Sequence, residues 1–309
     1  METPTVSSRR HGVVLMVVGG VLLGTLGVFV EEAAVHPLTA VWFRCAFGVL
    51  ALLAWGLGRS RLPELRLPRR AALLAVAGGL LMLLNWALFF AAIQRTSIAL
   101  ATVVFHVQPL WVLVFGMLWL GEPVSLRRIA ALLVALLGLG LATGLFTAPQ
   151  DAPRESLTWG LACAIGGSLS YAAVTLLAKL QRGVSSYALA TWQCGVGTIV
   201  LAAWPWLHGW PQATAAWGWL AGLGVLHTAL AYVLLYGGMQ RLPASQIAPL
   251  QFVYPACAVL VDAAVYGRVL GPLQLLGVAL LGAALWSARP DASEAPTNRA
   301  TGGRAPARG

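Results

Sequence analysis

Charged side chains are scarce in this sequence. Asp, Glu, Lys and Arg make up 10% of its 309 residues, and 59% of the residues are hydrophobic. A soluble domain carries about 25% charged residues. No soluble fold of this size could hide so much apolar surface, so the composition reads as an all-α integral membrane protein. Cysteine is also sparse, with four in the chain: Cys45, Cys163, Cys194 and Cys257. Each lies in an apolar run and none forms C-x-x-C, so they read as small buried residues rather than disulfides or metal ligands. Neither a metal nor a cofactor is expected. The chain lacks G-x-x-x-x-G-K-[ST], and its single lysine, Lys179, follows no glycine loop, so ATP is not the energy source. It also lacks H-E-x-x-H, G-x-S-x-G and any paired acidic cluster within its apolar runs, which speaks against a membrane enzyme acting on lipids or peptides. The net charge of +10 would suit nucleic acid, but the basic residues sit in short loops between apolar runs. That placement sets membrane orientation, and no nucleic-acid partner is expected.

The sequence contains ten apolar runs, each near the roughly 20 residues a bilayer requires. Five occupy Gly12–Val30, Leu38–Leu57, Ala71–Ile93, Ser97–Trp119 and Leu126–Leu145. Five more occupy Thr158–Ala178, Tyr187–Trp206, Thr214–Gly238, Ser245–Val265 and Pro272–Ser287. The first run is long enough to span, so it is not a cleavable signal peptide. Basic residues set the orientation. With the amino terminus inside, the inner segments hold sixteen of the twenty basic residues, the outer loops hold Arg95, Arg154 and Arg268, and Arg44 lies within the second span. That bias places both termini in the cytoplasm. The expected partners are the lipid bilayer, a bacterial inner membrane, and a small-molecule substrate. The chain is expected to act as a monomer or homodimer.

One odd element occurs twice. QRTSIALATVVFHVQPLWVLVFGMLWLGE, from Gln94 to Glu122, is matched by QRLPASQIAPLQFVYPACAVLVDAAVYGR, from Gln240 to Arg268. Gln94 falls on Gln240, Arg95 on Arg241, Pro109 on Pro255 and Gly121 on Gly267. FRCAFGVLALLAW, ending at Trp55, likewise parallels WQCGVGTIVLAAW, ending at Trp204. Each half has five spans, and an odd number sends the second copy through the membrane the opposite way. The fold expected is therefore ten transmembrane helices in two inverted five-helix repeats, an architecture suited to alternating access around a midplane site. The division is a cytoplasmic leader at 1–11, repeats at 12–145 and 158–287, a periplasmic linker at 146–157, and a disordered cytoplasmic tail at 288–309.

Ten spans in two halves, an arginine early in the second span (Arg44), and a fourth span reading Pro109 … Gly121-Glu122 resemble the EamA-type transporters of the drug/metabolite transporter superfamily. The similarity covers about Gly12 to Ser287. The resemblance implies a ten-helix basket whose central cavity is lined mainly by spans one, three, four, six, eight and nine. It also implies movement of small metabolites, often export of amino acids or related compounds. Arg268 replaces the family's glutamate in the second copy, which separates the roles of the two positions.

Several residues could carry chemistry. His106 sits about nine residues into span four and shares a face with Thr102 and Pro109. It reads as a cavity residue for substrate or a proton, with a histidine bonded between helices as the alternative. Gln108 is its polar neighbour. Pro109 and Pro255 each free a backbone carbonyl one turn earlier, which fits a hinge; a static packing kink is the alternative. Arg44 is a lone cation at depth. A structural ion pair with Glu31, Glu32 or Asp262 is favoured over an outer gate or an anchor for a substrate carboxylate. Glu31 ends a face of Gly20, Gly24 and Gly27 and reads first as a solvated carboxylate. Asp262 could carry a coupling proton or simply face water. Asn85, Trp86, His227, Tyr232, Tyr236, Gln251 and Tyr254 together make a plausible lining for a small polar solute. Tryptophans near span ends, such as Trp119 and Trp206, suit interfacial anchors. A secondary transporter leads these readings, with a passive channel and an intramembrane enzyme behind it.

Overall fold

The structure is a computed structural model that describes residues 6–122, 124–146, 154–181 and 183–287. The expected tail, residues 147–153 of the linker and residues 1–5 of the leader lie outside the described residues. Among the described residues every regular element is helical and there is no strand. An apolar chain in lipid must satisfy its backbone N–H and C=O groups internally, and helices do so segment by segment.

The helices are α1 (Val6–Gly24), α2 (Leu26–Ala33), α3 (Pro37–Gly58), α4 (Arg69–Arg95), α5 (Ile98–Phe105), α6 (Gln108–Leu120) and α7 (Leu126–Ala142). They continue as α8 (Arg154–Leu180), α9 (Ser186–Val200), α10 (Trp204–His208), α11 (Thr214–Gly224), α12 (Ala231–Met239), α13 (Ala244–Leu250), α14 (Val253–Tyr266) and α15 (Pro272–Ser287). Joined end to end, these give seven helices long and apolar enough to cross a membrane. The runs expected at positions five, seven and ten appear as shorter helices of 17, 15 and 16 residues. The seventh run stops at Val200 and resumes as α10, with Pro205 in that helix's first turn. α1 begins at Val6, within the expected leader.

Four long helices are interrupted. α1 and α2 meet at Thr25, whose hydroxyl donates back to the Leu22 carbonyl at 2.9 Å. Val225–Leu230, between α11 and α12, is a π-helical segment. α5 and α6 are separated by His106 and Val107, and α13 and α14 by Gln251 and Phe252. Under the shift that lays Gln94 on Gln240, these last two breaks coincide to within one residue. Pro109 and Pro255 lie in the first turn of the following helix, where the missing N–H costs nothing. The prolines therefore restart helices rather than bend continuous ones. Both second segments end on a left-handed glycine, Gly121 at φ 62° and Gly267 at φ 64°.

Packing directions follow from close approaches at glycine. A Cβ on Gly48 would lie 3.3 Å from Cys194 Sγ, and one on Gly197 would lie 2.5 Å from Cys45 Sγ. Contact therefore moves backward along α9 as it moves forward along α3, so the two run antiparallel. α4 and α8 are antiparallel by the same test: Asn85 Nδ2 donates to the Gly167 carbonyl, and Ser170 Oγ donates to the Leu81 carbonyl. α1 and α12 are antiparallel too, with Gly12 against Leu242 and Gly19 against Leu235. α1 and α14 run parallel, Gly20 meeting Val253 and Gly24 meeting Cys257. The glycine face of the first span is thus a close helix contact at Gly20 and Gly24, while Gly27 faces open space.

The contact pattern survives exchange of the two halves. α4 on α8 is answered by α12 on α1, α3 on α11 by α9 on α4, and α1 on α14 by α8 on α6. Three further pairs, α3 with α9, α7 with α15 and α6 with α13, join matched spans to each other. Met16, Leu52, Met82, Ala188, Leu189, Ala231 and Leu235 form a central core from both halves. A second cluster of Leu113, Leu132, Leu139, Phe252 and Leu281 seals α6, α7, α14 and α15.

Candidate functional site

Arg44 projects from α3 into the centre of the protein and is 6% exposed. Its Nε donates to Thr228 Oγ1 at 2.9 Å and its Nη2 to the His227 carbonyl at 3.4 Å. The guanidinium lies over the Trp86 ring at 4.4 Å and over Tyr232 at 5.9 Å. Among the described residues no carboxylate pairs with it. The favoured ion pair with Glu31, Glu32 or Asp262 is therefore not formed. Asp262 is held by Arg268 Nη1 at 2.9 Å, six residues on in its own chain segment. Glu31 and Glu32 are exposed. A guanidinium also satisfies itself on neutral acceptors and aromatic faces, which is what α4, α12 and the π segment offer.

The π segment explains how that acceptor set arises. Its wider turn lets Thr228 Oγ1 donate to the Leu223 carbonyl five residues back, at 2.9 Å, and accept from Arg44. Beside Trp86, Thr228 and Tyr232 is a cavity also lined by Cys45, Met82, Gln193 and Cys194. Its volume is about 10 Å³, roughly room for one water molecule. Gln193 stands where the repeat places the equivalent of Arg44. It accepts from the Tyr236 hydroxyl and lies over Gly78, where a Cβ would come within 2.8 Å of its Nε2. The matched pairs Arg44/Gln193 and Cys45/Cys194 thus converge on one centre from opposite directions, with a cation on one side only.

His106 belongs to a second group. Its Nδ1 lies 2.7 Å from the Thr102 carbonyl, so Nδ1 carries the proton and caps the end of α5. The ring is 3% exposed and stands 5.8 Å from Tyr254 and 6.2 Å from Phe252, across the two helix breaks. Gln108 is buried with an unpaired Oε1, and Gln251 donates to Thr175 Oγ1 while its own Oε1 is unpaired. Three predicted residues have structural duties instead. Asn85 ties α4 to α8 through Gly167. The His227 ring bridges Thr25 Oγ1 at 2.8 Å and the Gly222 carbonyl at 3.4 Å and packs on Phe29, so its carbonyl, not its ring, serves Arg44. Asp262 is partly exposed at a helix end, away from the cavity lining.

One polar cluster escaped the sequence reading. Glu122, just after α6, pairs with Lys179 at the end of α8 and accepts from the Ala244 N–H at the start of α13. Lys179 also donates to the Leu242 carbonyl at 2.9 Å, and Arg128 Nη1 to Ser245 Oγ at 2.9 Å. These contacts tie first-half helices to second-half helices at one end of the bundle. The matched residue at the other end, Arg268, pairs only within its own segment. Gln193 and Thr175 were missed as well; the parallel between the segments ending at Trp55 and Trp204 carried the signal for Gln193.

Comparison with known proteins agrees with this geometry. The profile of the EamA-like transporter family matches residues 10–144 and again 158–288. An uncharacterized transporter of Archaeoglobus fulgidus is 31% identical over 273 residues, 88% of this chain and 94% of that protein. The uncharacterized transporter YxxF of Bacillus subtilis (strain 168) is 26% identical over 91% of this chain and 90% of its own. The pseudopaline exporter CntI of Pseudomonas aeruginosa is 24% identical over 79% of this chain and 84% of its own. A protein solved by crystallography shares the fold at a TM-score of 0.79 and 20% identity, covering 91% of this chain and 98% of that one. With both halves matched, a full-length relative above 30% identity and a multi-pass helical fold, this chain is a transporter of the EamA-like family.

Proposed function

We propose that the protein is a secondary carrier that exports a small metabolite, such as an amino acid or related compound, by alternating access. In this reading the ten helical runs form two inverted repeats, 12–145 and 158–287, in a bacterial inner membrane with both termini in the cytoplasm. The observation that carries the reading is the antiparallel meeting of matched helices at a buried polar centre flanked by helix breaks at matched positions. Broken helices at repeat interfaces are where carriers hold substrates. Support for a rocking motion comes from the unequal ends: among the described residues an ion pair, Glu122–Lys179, joins the halves at one end, and neutral hydrogen bonds such as Trp204 Nε1 to Thr39 Oγ1 and Ser156 Oγ to the Arg95 carbonyl join them at the other. His106 is the candidate proton carrier, with Nδ1 fixed on Thr102 and Nε2 left to exchange. The exporter name of the Pseudomonas relative supports the direction. Counterflow in proteoliposomes tests the proposal: unlabelled amino acid inside should drive saturable uptake of the labelled compound. Uptake that is linear in concentration and without counterflow would show a channel instead.

A further inference from the structure

Arg44 is a cation without an anion. Its guanidinium carries five N–H donors; the described protein engages Nε and Nη2, and Nη1 donates to no described residue. A cation–π contact returns about 0.5–2 kcal/mol, whereas placing an arginine at depth in a helix costs about 2.5–3.5 kcal/mol even on insertion scales. The Trp86 and Tyr232 rings, with the hydrogen bonds to Thr228 and the His227 carbonyl, hold the cation at that depth, and Nη1 is the donor left over. The same Trp86, Thr228 and Tyr232 that hold the guanidinium also wall the central cavity. Gln193 lines the same cavity, neutral where Arg44 is charged.

We infer that Arg44 is the anion-binding group of the substrate site and that the substrate class is the organic monocarboxylates, zwitterionic amino acids included. This rests on the carrier reading above. A carboxylate matches the planar fork of a guanidinium and is bound by charge-assisted hydrogen bonds. One cation neutralises one negative charge, so the site suits a monoanion rather than a phosphate ester or dicarboxylate. Met82 and Leu83, which also wall the cavity, receive an apolar or aromatic body, and Gln193, held by Tyr236, meets a neutral polar group. The present cavity holds about one water molecule, so the carboxylate enters when the halves part.

Matched pairs of probes test this: L-phenylalanine against L-phenylalaninamide, and 3-phenylpropionate against 3-phenylpropionamide. Thermal unfolding of the purified full chain is the readout. The carboxylates should raise Tm and the amides should not. Arg44→Gln should weaken the carboxylate effect roughly tenfold or more, while Arg44→Lys should keep part of it. Equal shifts from acid and amide, shifts that persist in Arg44→Gln, or no shift from any carboxylate would overturn the inference. So would an equal shift from sodium chloride, which would make this a site for small inorganic anions. If Arg44→Gln does not fold, the acid–amide comparison on the unmodified protein still decides, with Thr228→Val as the milder variant. Counterflow separates the two readings. Saturable exchange of amides or amines, unchanged by Arg44→Gln, leaves the carrier and removes the anion site. Carboxylate binding without any counterflow does the reverse.

Discussion

His106 and Arg44 are both ionisable, both buried, and both set in apolar helices, yet their surroundings give them different tasks. Arg44 is fixed by two acceptors and two aromatic rings. His106 has a single polar tether, Thr102, and aromatic neighbours from both halves. His106→Ala should therefore reduce counterflow at least tenfold, and the lost hydrogen bond plus the cavity left by the buried ring should cost about 3 kcal/mol of stability. Transport assayed in proteoliposomes at equal protein content checks it, and full activity would remove His106 from the mechanism. A third titrating residue lies outside the spans. Glu64 accepts from Arg61 Nε and, at 2.9 Å, from Arg61 Nη2. The Arg61 hydrogen bond holds the Glu64 carboxyl below its ordinary 4.5. A depressed carboxyl stabilises the fold above that value, and the contribution is lost as pH falls through the folded value. The acid-side fall in Tm should accordingly be shallower in Glu64→Gln than in the parent. The difference should be small because both side chains face solvent, at 34% and 41% exposure.

At the scale of elements, two matched helices end on a left-handed glycine. Gly121 and Gly267 close α6 and α14 at positive φ, and a Cβ would meet nothing within 4 Å at either one. Sterics with neighbours therefore play no part, and only the backbone conformation sets the cost. Gly121→Ala and Gly267→Ala should each lose about 1 kcal/mol, measured by thermal unfolding in detergent. The turn after α6 has a second duty, because it presents Glu122 to Lys179 and to the first N–H of α13. Lys179 is 2% exposed in its side chain. Removing the negative partner of a buried pair is strongly destabilising, so Glu122→Gln should cost about 3 kcal/mol. It should also speed the opening of that end of the bundle. A labelled thiol reagent directed at a cysteine introduced at Ser245 should react faster in the variant; equal rates and equal Tm would show that the cluster holds nothing together.

For the whole molecule, the exchange of contacts between halves is the organising fact. Matched helices meet antiparallel at α3 and α9, and they place a cysteine of one over a glycine of the other in both directions. A sequence cannot keep both packings unless each half supplies the small residue the other requires. The two halves share their packing pattern and the α5/α6 and α13/α14 breaks but differ in polar chemistry: Arg44 against Gln193, His106 against Phe252, Glu122 against Arg268. The proposed carrier cycle would then combine nearly symmetric motion with asymmetric binding and closure. Reporter fusions at either terminus should both report the cytoplasm, and a fusion at Arg268 should report the opposite side. A terminus found outside would reverse the assigned direction of every span.

The membrane class, the helical runs and the repeated odd element were legible in the residues because each rests on local physics. Apolar length, loop charge, proline and glycine act within a few residues of where they stand. His106 and the paired breaks were found for that reason, and so was Arg44 as a costly cation. Its partners were not, because a guanidinium chooses among acceptors from other helices, and sequence favours the obvious carboxylates over Thr228 and a carbonyl freed by a π turn. Glu122 and Lys179 stand 57 residues apart, and nothing local marks them as a pair. The tertiary structure decided which buried groups meet, since helix packing alone brings distant side chains to within a hydrogen bond.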